Sequence, residues 1–392
     1  MSTDLNMEYQ EVKFGDICRE VKLTTKDPIA DGYDKYIGLE HLDSGSLKIK
    51  RWGLIAEDNP TFTRVFKKGH ILIGKRRPYL KKAAIAEFDG ICSSDIIVVE
   101  STNRIVSAEL LPFFIHSDMF WDWAIKTSSG SLSPRTKFKD LSELSFKFDP
   151  SKNEAVVDVL TKLYDLELNI YEAIESNQQM IRSYQFSELH DYVVTDNSQI
   201  AENIYSLKQL GNFKNGINKD KDSFGSGSYF VNLDDVFAKN EISEYPEGLV
   251  ECSEKEISNY SLNKGDILFV RSSVKPSGVA KTAIVSRVFE NLVYSGFLIR
   301  FRPNKPQIAE FLNILFDTPL FRHKVSAYVT VSANSNINQP SLEILKVKLP
   351  SEAMMEKICN LMGEFDEINR NLTSRTNQLH TLRKNYLYDL FK

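Results

Sequence analysis

KGHIL at residues 68–72 and KGDIL at residues 264–268 stand 196 residues apart, and this spacing organises the rest of the chain. Working outward, YQEVKFG at 9–15 meets YSLKQLG at 205–211 with the same displacement. Ser94 with the apolar run 96–99 corresponds to Ser295 with residues 297–299, and Ala108-Glu109 to Ala309-Glu310, both displaced by 201. Towards the ends of the halves, Ile181-Arg182 and Leu189 fall on Leu382-Arg383 and Leu390. Each match is weak alone, but their common order and slowly drifting displacement identify a duplication.

Both halves follow one plan. Short apolar runs at 69–74, 96–99, 266–270 and 298–301, broken by Gly, Pro, Asn and Asp, predict strands between turns in an α+β domain. Residues 151–192 then contain neither proline nor glycine, and residues 351–392 contain only Gly363, so each half closes on a long helix. The expected division is a first domain at 1–149, a helix at 150–192, a second domain at 193–349 and a second helix at 350–392.

The helices carry apolar residues at alternating spacings of three and four. The predicted seam is Val156, Val159, Leu163, Leu166, Ile170, Ala173, Asn177, Met180 and Tyr184 in the first, and Ile358, Leu361, Phe365, Ile368, Leu372, Arg375, Leu379, Leu382 and Tyr386 in the second. Two seams of similar length predict one intramolecular antiparallel coiled coil related by a pseudo-twofold axis. The alternative is two amphipathic helices, each lying on its own domain. Asn177 and Arg375 interrupt the seam and would set its register. Leu160, Ile174 and Ile181 widen the first stripe, and are expected to dock a partner protein or else to complete the intramolecular core.

Composition excludes several classes. No apolar run approaches the roughly 20 residues of a membrane span, and residues 1–10 lack the pattern of a signal peptide, so a cytoplasmic protein is expected. Cys18, Cys92, Cys252 and Cys359 are scattered and read as reduced core residues. The six histidines, His41, His70, His116, His190, His323 and His380, are dispersed, so no metal cluster or nucleophile-base pair is expected. No phosphate-cradling Walker loop occurs, and Gly225-Ser226-Gly227 lies in a polar turn. Neither a cofactor nor a metal is predicted in this chain.

Charge distribution says more than the net charge of −4. Residues 48–82 hold eleven Lys and Arg against only Glu57 and Asp58. The densest part, GKRRPYLKK at 74–82, follows a predicted strand and so forms a projecting loop. There Lys75, Arg76, Arg77, Lys81 and Lys82 suit DNA phosphates or guanine edges, and Tyr79 suits stacking or backbone contact. The second half has a weaker counterpart at 271–281, with Arg271, Lys275 and Lys281. Another loop precedes each helix. Residues 128–137 include Arg135 and Lys137, and residues 332–340 include Asn338 and Gln339. These side chains suit base or phosphate contacts, yet Ser, Asn and Pro are equally ordinary turn formers.

The doubled order of KGDILFVR at 264–271, NINQPSLEILKVKLP at 336–350 and a long helix resembles the target-recognition domain and conserved spacer helix of Type I restriction-modification specificity subunits. The first copy fits through residues 68–74 and 133–150 and the helix that follows. The resemblance departs from the family at His70, where an acid is usual, and at the helix starts, Asn153-Glu154 and Glu352-Ala353. It implies a non-catalytic, double-stranded-DNA-binding subunit of an antiviral defence complex. Two methyltransferase subunits would supply S-adenosylmethionine and the catalytic residues, and restriction subunits would join optionally. No methyltransferase Asn/Asp-Pro-Pro-aromatic motif occurs here. Because the basic loops of the two halves differ, the resemblance implies a bipartite, asymmetric DNA word. The rival expectation from the residues alone is a coiled-coil interaction scaffold that binds no DNA.

Overall fold

Strands Ile71–Gly74 and Ile267–Val270, which end the two matched KG-turns, are buried along their whole length. In a computed structural model that describes residues 9–194, 202–330 and 334–391, each is a central strand of its own sheet. Ile71–Gly74 lies between Ile96–Ser101 and Ala83–Ile85, with Cys18–Glu20 at the far edge. Ile267–Val270 lies between Leu298–Pro303 and Thr282–Val285, with Gly211–Asn215 and Glu241–Ile242 outside them. Side chains alternate across a strand, so an uninterrupted apolar run requires cover on both faces. Both faces are covered. Ile71, Ile73, Ile97 and Val99 face a core that contains Phe114, Phe120 and Trp121, while Leu72, Val98 and Ala84 face Ile37, Phe66 and Cys92. In the second sheet Ile267, Phe269, Ile299 and Phe301 face Phe311, Phe316 and Phe321, while Leu268, Val270 and Leu298 face Val231, Leu292 and Tyr294.

The turn ahead of each central strand explains the substitution at His70. Gly69 and Gly265 both have φ of +89°, a left-handed conformation that favours glycine. Asp266 accepts the Asn263 backbone N–H at 2.7 Å, and His70 Nδ1 accepts the Lys67 backbone N–H at 3.0 Å in the same place. Asp266 also pairs with Arg302 at 2.6 Å, whereas His70 Nε2 lies 4.0 Å from Glu100. The acid and base have exchanged sides. Burial is the main influence on the His70 ring and lowers its pKa, with Glu100 pulling the other way.

One detail of the sequence alignment is corrected. Ile73 pairs with Ile97, and Phe269 with Ile299, so the displacement here is 202 rather than 201. Ser93, not Ser94, is therefore the counterpart of Ser295. Each accepts the backbone N–H two residues on, from Asp95 and Phe297, at 3.2 Å.

The chain forms two compact units, and each contains parts of both long helices. The first unit runs to Glu172 and resumes at Thr373, and the second is Ala173–Leu372. The first long helix is Asn153–Ser187 and the second is Glu352–Leu390. Within each unit the two helical segments run antiparallel. In the first unit Glu167 bonds Arg383 at 2.7 Å, with Leu387 and Leu390 packed in the same core as Val156 and Leu160. In the second, the Asn177 amide donates to the Phe365 carbonyl at 3.0 Å, and Ile181 and Tyr184 pack against the core that holds Ile358 and Met362.

The seam follows the heptad reading at every second position, where Val156, Leu163, Ile170, Asn177 and Tyr184 and Ile358, Phe365, Leu372, Leu379 and Tyr386 are buried or half-buried, and departs from it by one residue at the others. Val159, Leu166, Met180, Ile368, Leu382 and Arg375 are exposed, while Leu160, Tyr164, Glu167, Met355, Met362 and Arg383 are buried. Leu160, Glu167, Ile174 and Ile181 take the places of Val159, Leu166, Ala173 and Met180 in the first helix, and Met362, Asn369, Thr376 and Arg383 those of Leu361, Ile368, Arg375 and Leu382 in the second, so the alternating steps of three and four persist while each helical segment also packs against an α+β domain. Asn177 does interrupt the seam; Arg375 does not. A second buried interruption is the Glu167–Arg383 pair, each side chain less than a tenth exposed. Burial raises the Glu167 pKa against the opposing pull of Arg383.

The end of each long helix completes the core of an α+β domain. Leu387, Leu390 and Phe391 join the first core, and Leu189 and Val193 join the second.

Candidate nucleic-acid interface

In the first reader, the loop 75–82 leaves the central strand and passes through a one-turn helix, Pro78–Leu80, between Arg77 and Lys81, which have φ of +55° and +48°. Such values in non-glycine residues cost of order 1 kcal/mol or more and persist only where surrounding contacts enforce them. Those contacts come from the second candidate loop. The Arg77 N–H donates to the Pro134 carbonyl at 2.7 Å, and the Thr136 N–H donates to the Lys75 carbonyl at 3.0 Å. Arg76 and Arg135 form a bridge, as do Ser129 and Arg135. Loops 75–82 and 128–137, distant in sequence, thus form one surface.

Asp95 holds its charged members in place. Arg135 Nε donates to it at 2.9 Å and Arg76 Nη1 lies 3.6 Å away, while Arg76 Nη2 donates to Ser133 Oγ at 3.3 Å. The bond from Arg135 is the main reason the Asp95 pKa is lowered. Lys81 bonds Asp118 at 2.8 Å, an acid shared with Lys384, and Lys82 Nζ donates to the Leu39 carbonyl. Burial, reinforced by Arg64, lowers the pKa of Lys75. Arg77, Tyr79 and Lys137 are exposed with no side-chain hydrogen bond or ion pair among the described residues. The basic run therefore divides into a framework, Arg76, Arg135, Lys81 and Lys82, and outward groups, Arg77, Tyr79 and Lys137.

The second reader repeats the backbone arrangement with other side chains. Ser272–Ser273 pair with Ser335–Asn336, the Ile337 N–H donates to the Arg271 carbonyl at 3.0 Å, and Thr330 bridges Asn336. These are the counterparts of Thr136 to Lys75 and of Ser129 with Arg135. Arg271 Nη1 donates to the Gly296 carbonyl at 3.3 Å, Lys275 is exposed, and Lys281 lies over the Phe237 ring. Asn338 is a turn former: its side-chain oxygen accepts the Ser341 N–H at 2.9 Å and caps the helix Gln339–Glu343. That commits the acceptor which a bidentate adenine contact would need. Gln339 is half-buried in the first turn. Ser332 and Ala333 of this loop lie outside the described residues.

The three side chains expected to meet a partner protein sit mostly inward. Leu160 is fully buried in the first unit and offers no surface, Ile181 packs against the second core, and Ile174 is half-buried. The one-residue change in seam phase is the reason. The apolar groups that the helices do expose include Leu166, Tyr171, Met180 and Phe186 on the first and Met354, Ile368, Leu382 and Tyr388 on the second.

Sequence reading missed Asp95 and Asp118, because single acids far from a basic run carry no local signal. Their pairing with Arg76, Arg135 and Lys81 arises only in the fold. Among the described residues no group of His, Cys, Asp and Glu is placed to hold a metal, and no helix is long and apolar enough to cross a membrane.

Two α+β domains, each presenting a paired-loop surface and joined to long helices whose segments run antiparallel within each unit, define a duplicated domain-and-helix class of protein. Comparison with known proteins gives that class a particular likeness. No family model matches the chain. It is 32% identical over 126 residues to the Type I restriction enzyme EcoDI specificity subunit of Escherichia coli, covering 32% of this chain and 28% of that protein. It is 24% identical over 189 residues to the EcoKI specificity subunit of Escherichia coli strain K12, covering 47% and 40%. The chain thus matches less than half the length of either relative. The solved Type I restriction-modification S subunit from M. genitalium has the same fold, with 13% identity, a TM-score of 0.56 and coverage of 100% of this chain and 98% of that one. The family resemblance drawn from the duplicated motifs is borne out, and so is the fold class of two recognition domains with long paired helices.

Proposed function

We propose that this chain is the sequence-reading, non-catalytic subunit of a Type I restriction-modification complex in a prokaryotic cytoplasm. The observation that carries the reading is the repeated clamp: Lys75 to Thr136 in one reader and Arg271 to Ile337 in the other, with the same backbone bond and different outward side chains. A duplication that preserves the frame and varies what it presents suits two readers of different DNA words. Arg77, Tyr79 and Lys137 in the first reader, and Lys275, Lys281 and Gln339 in the second, would meet the duplex directly, while Arg76, Arg135, Lys81, Lys82 and Arg271 hold the loops in shape. Two methyltransferase subunits, which bring S-adenosylmethionine, would dock on the apolar side chains the helices expose, such as Leu166, Met180, Ile368 and Leu382. Restriction subunits would complete the assembly.

The test is the salt dependence of duplex binding. Each lost phosphate contact lowers the slope of log affinity against log salt by about 0.9, so replacing Lys75, Arg76 and Arg77 together with alanine should lower it by roughly 1–3. A folded triple variant with the parental slope would remove this loop from the interface. Absence of any duplex binding by the parent would favour the scaffold reading.

A further inference from the structure

The second reader contains a cleft beside its candidate loop 271–281. It has a volume of about 280 Å3 and is lined by Pro276, Ser277, Val279, Arg322, Ser326 and Val329. Two of these, Pro276 and Ser277, belong to the candidate reading loop 271–281. Arg322 sits on the helix Pro319–Ser326, whose N-cap, Thr318, accepts the Phe321 N–H. Ser117 caps the helix Asp118–Lys126 in the same way through Phe120, so the two helices correspond with a displacement of 201. Trp121 therefore stands where the second half has Arg322. Trp121 is fully buried, edge-on to Phe120, and its indole fills that corner. The second half has replaced a space-filling ring with a cation and an open cleft.

The cation is only partly satisfied. Arg322 Nη2 donates to the Ser277 carbonyl at 2.6 Å, which ties the guanidinium to the reading loop. Nη1 is shielded from solvent and has no hydrogen-bond partner among the described residues. No ion pair of Arg322 with a carboxylate forms within 4.0 Å among the described residues; Asp317 acts on the guanidinium from farther away, and Lys281 acts on the same acid. Around this donor stand an apolar wall of Pro276, Val279 and Val329 and the hydroxyls of Ser277 and Ser326. The space is slightly below the roughly 300–1,000 Å3 of drug-sized ligand sites, so it suits one small unit with an anionic end and an apolar side. A deoxyribose-phosphate unit of a DNA strand has that form.

We propose that this cleft seats one backbone phosphodiester of the DNA held by the second reader, with Arg322 as the phosphate donor and the apolar wall against the sugar. In the first reader the buried Trp121 stands at the position of Arg322 and supplies no cation. This rests on the DNA-reading function proposed above, and it assigns a contact to a residue outside both candidate loops.

The experiment uses the full chain and a duplex selected by it from random DNA. Arg322→Gln should lower the slope of log affinity against log salt by about 0.9, the value of one phosphate contact, whereas Arg322→Lys should keep the parental slope. A scan of single neutral methylphosphonate linkages should find one position in one half-site that weakens binding by the parent and has no further effect on Arg322→Gln. Ser277→Asp, an exposed change that places an anion at the rim, should weaken binding without unfolding the protein; it keeps the test decisive if Arg322→Gln fails to fold. A parent that binds duplex DNA, with slopes unchanged in both Arg322→Gln and Ser277→Asp, overturns the phosphate seat alone. A parent that binds no duplex overturns the seat and the DNA-reading function together.

Discussion

Exchange of the first reader for that of a related chain is expected to change one half of the recognised DNA word and leave the other half intact. The reason is that each paired-loop surface is built within its own unit. Loops 75–82 and 128–137 bond to each other within the first unit, and residues 271–281 bond to 334–337 within the second. Each surface is held by bonds within its own unit, so specificity should move with its unit. The exchange must respect the core. Phe391 packs its ring 4.7 Å from Phe114 and 5.5 Å from both Phe146 and Phe148, so a replacement of residues 1–149 alone would set new side chains against an old plug. Moving residues 387–391 together with the reader should give a folded chimera. Selection of bound duplexes from random DNA would show the outcome, and a chimera that alters both half-words at once would defeat the assignment of one word to each reader.

The second large effect is expected from Phe391→Ala. The ring is 1% exposed and closes an aromatic cluster in the first core, where removal of a buried phenylalanine typically costs about 3–5 kcal/mol. For a unit of this size that corresponds to a loss of roughly 10 °C in melting temperature. Hydrogen exchange should show the first reader's strands, such as Ile96–Ser101, losing protection while Leu298–Pro303 in the second keeps it. Leu189→Ala, at a fully buried position in the second core, should give the reverse pattern. Equal loss in both sheets for either variant would show that the readers fold as one cooperative body.

The duplication, the strands and the helices were legible because each leaves a local signature. Apolar runs bounded by KG-turns mark strands buried on both faces, and long stretches free of Pro mark the helices. The one-residue slip at Ser93 arose because Ser93 and Ser94 are identical side chains, and only hydrogen bonding distinguishes them. Phase along the helices was legible at every second seam position, and was missed at the others for a different reason. Leu160 rather than Val159 faces inward because the reader domain, as well as the opposite helix, decides which side is buried. The basic loop was visible as composition, but its division into framework and outward groups depends on Asp95 and Asp118, whose partners lie far off in sequence. Arg322 gave no signal at all, since one arginine on a short helix is ordinary until the cleft beside it and its counterpart Trp121 are seen.

The central claim is that one chain carries two separate and different DNA readers. Mapping methylated bases in a host that carries the chain with its methyltransferase subunits, and in the same host without the chain, tests this most directly. The account predicts that the chain-dependent sites share two short, unlike words separated by a stretch of unread bases, an asymmetric bipartite sequence. A continuous word, or two identical words in inverted repeat, would contradict it.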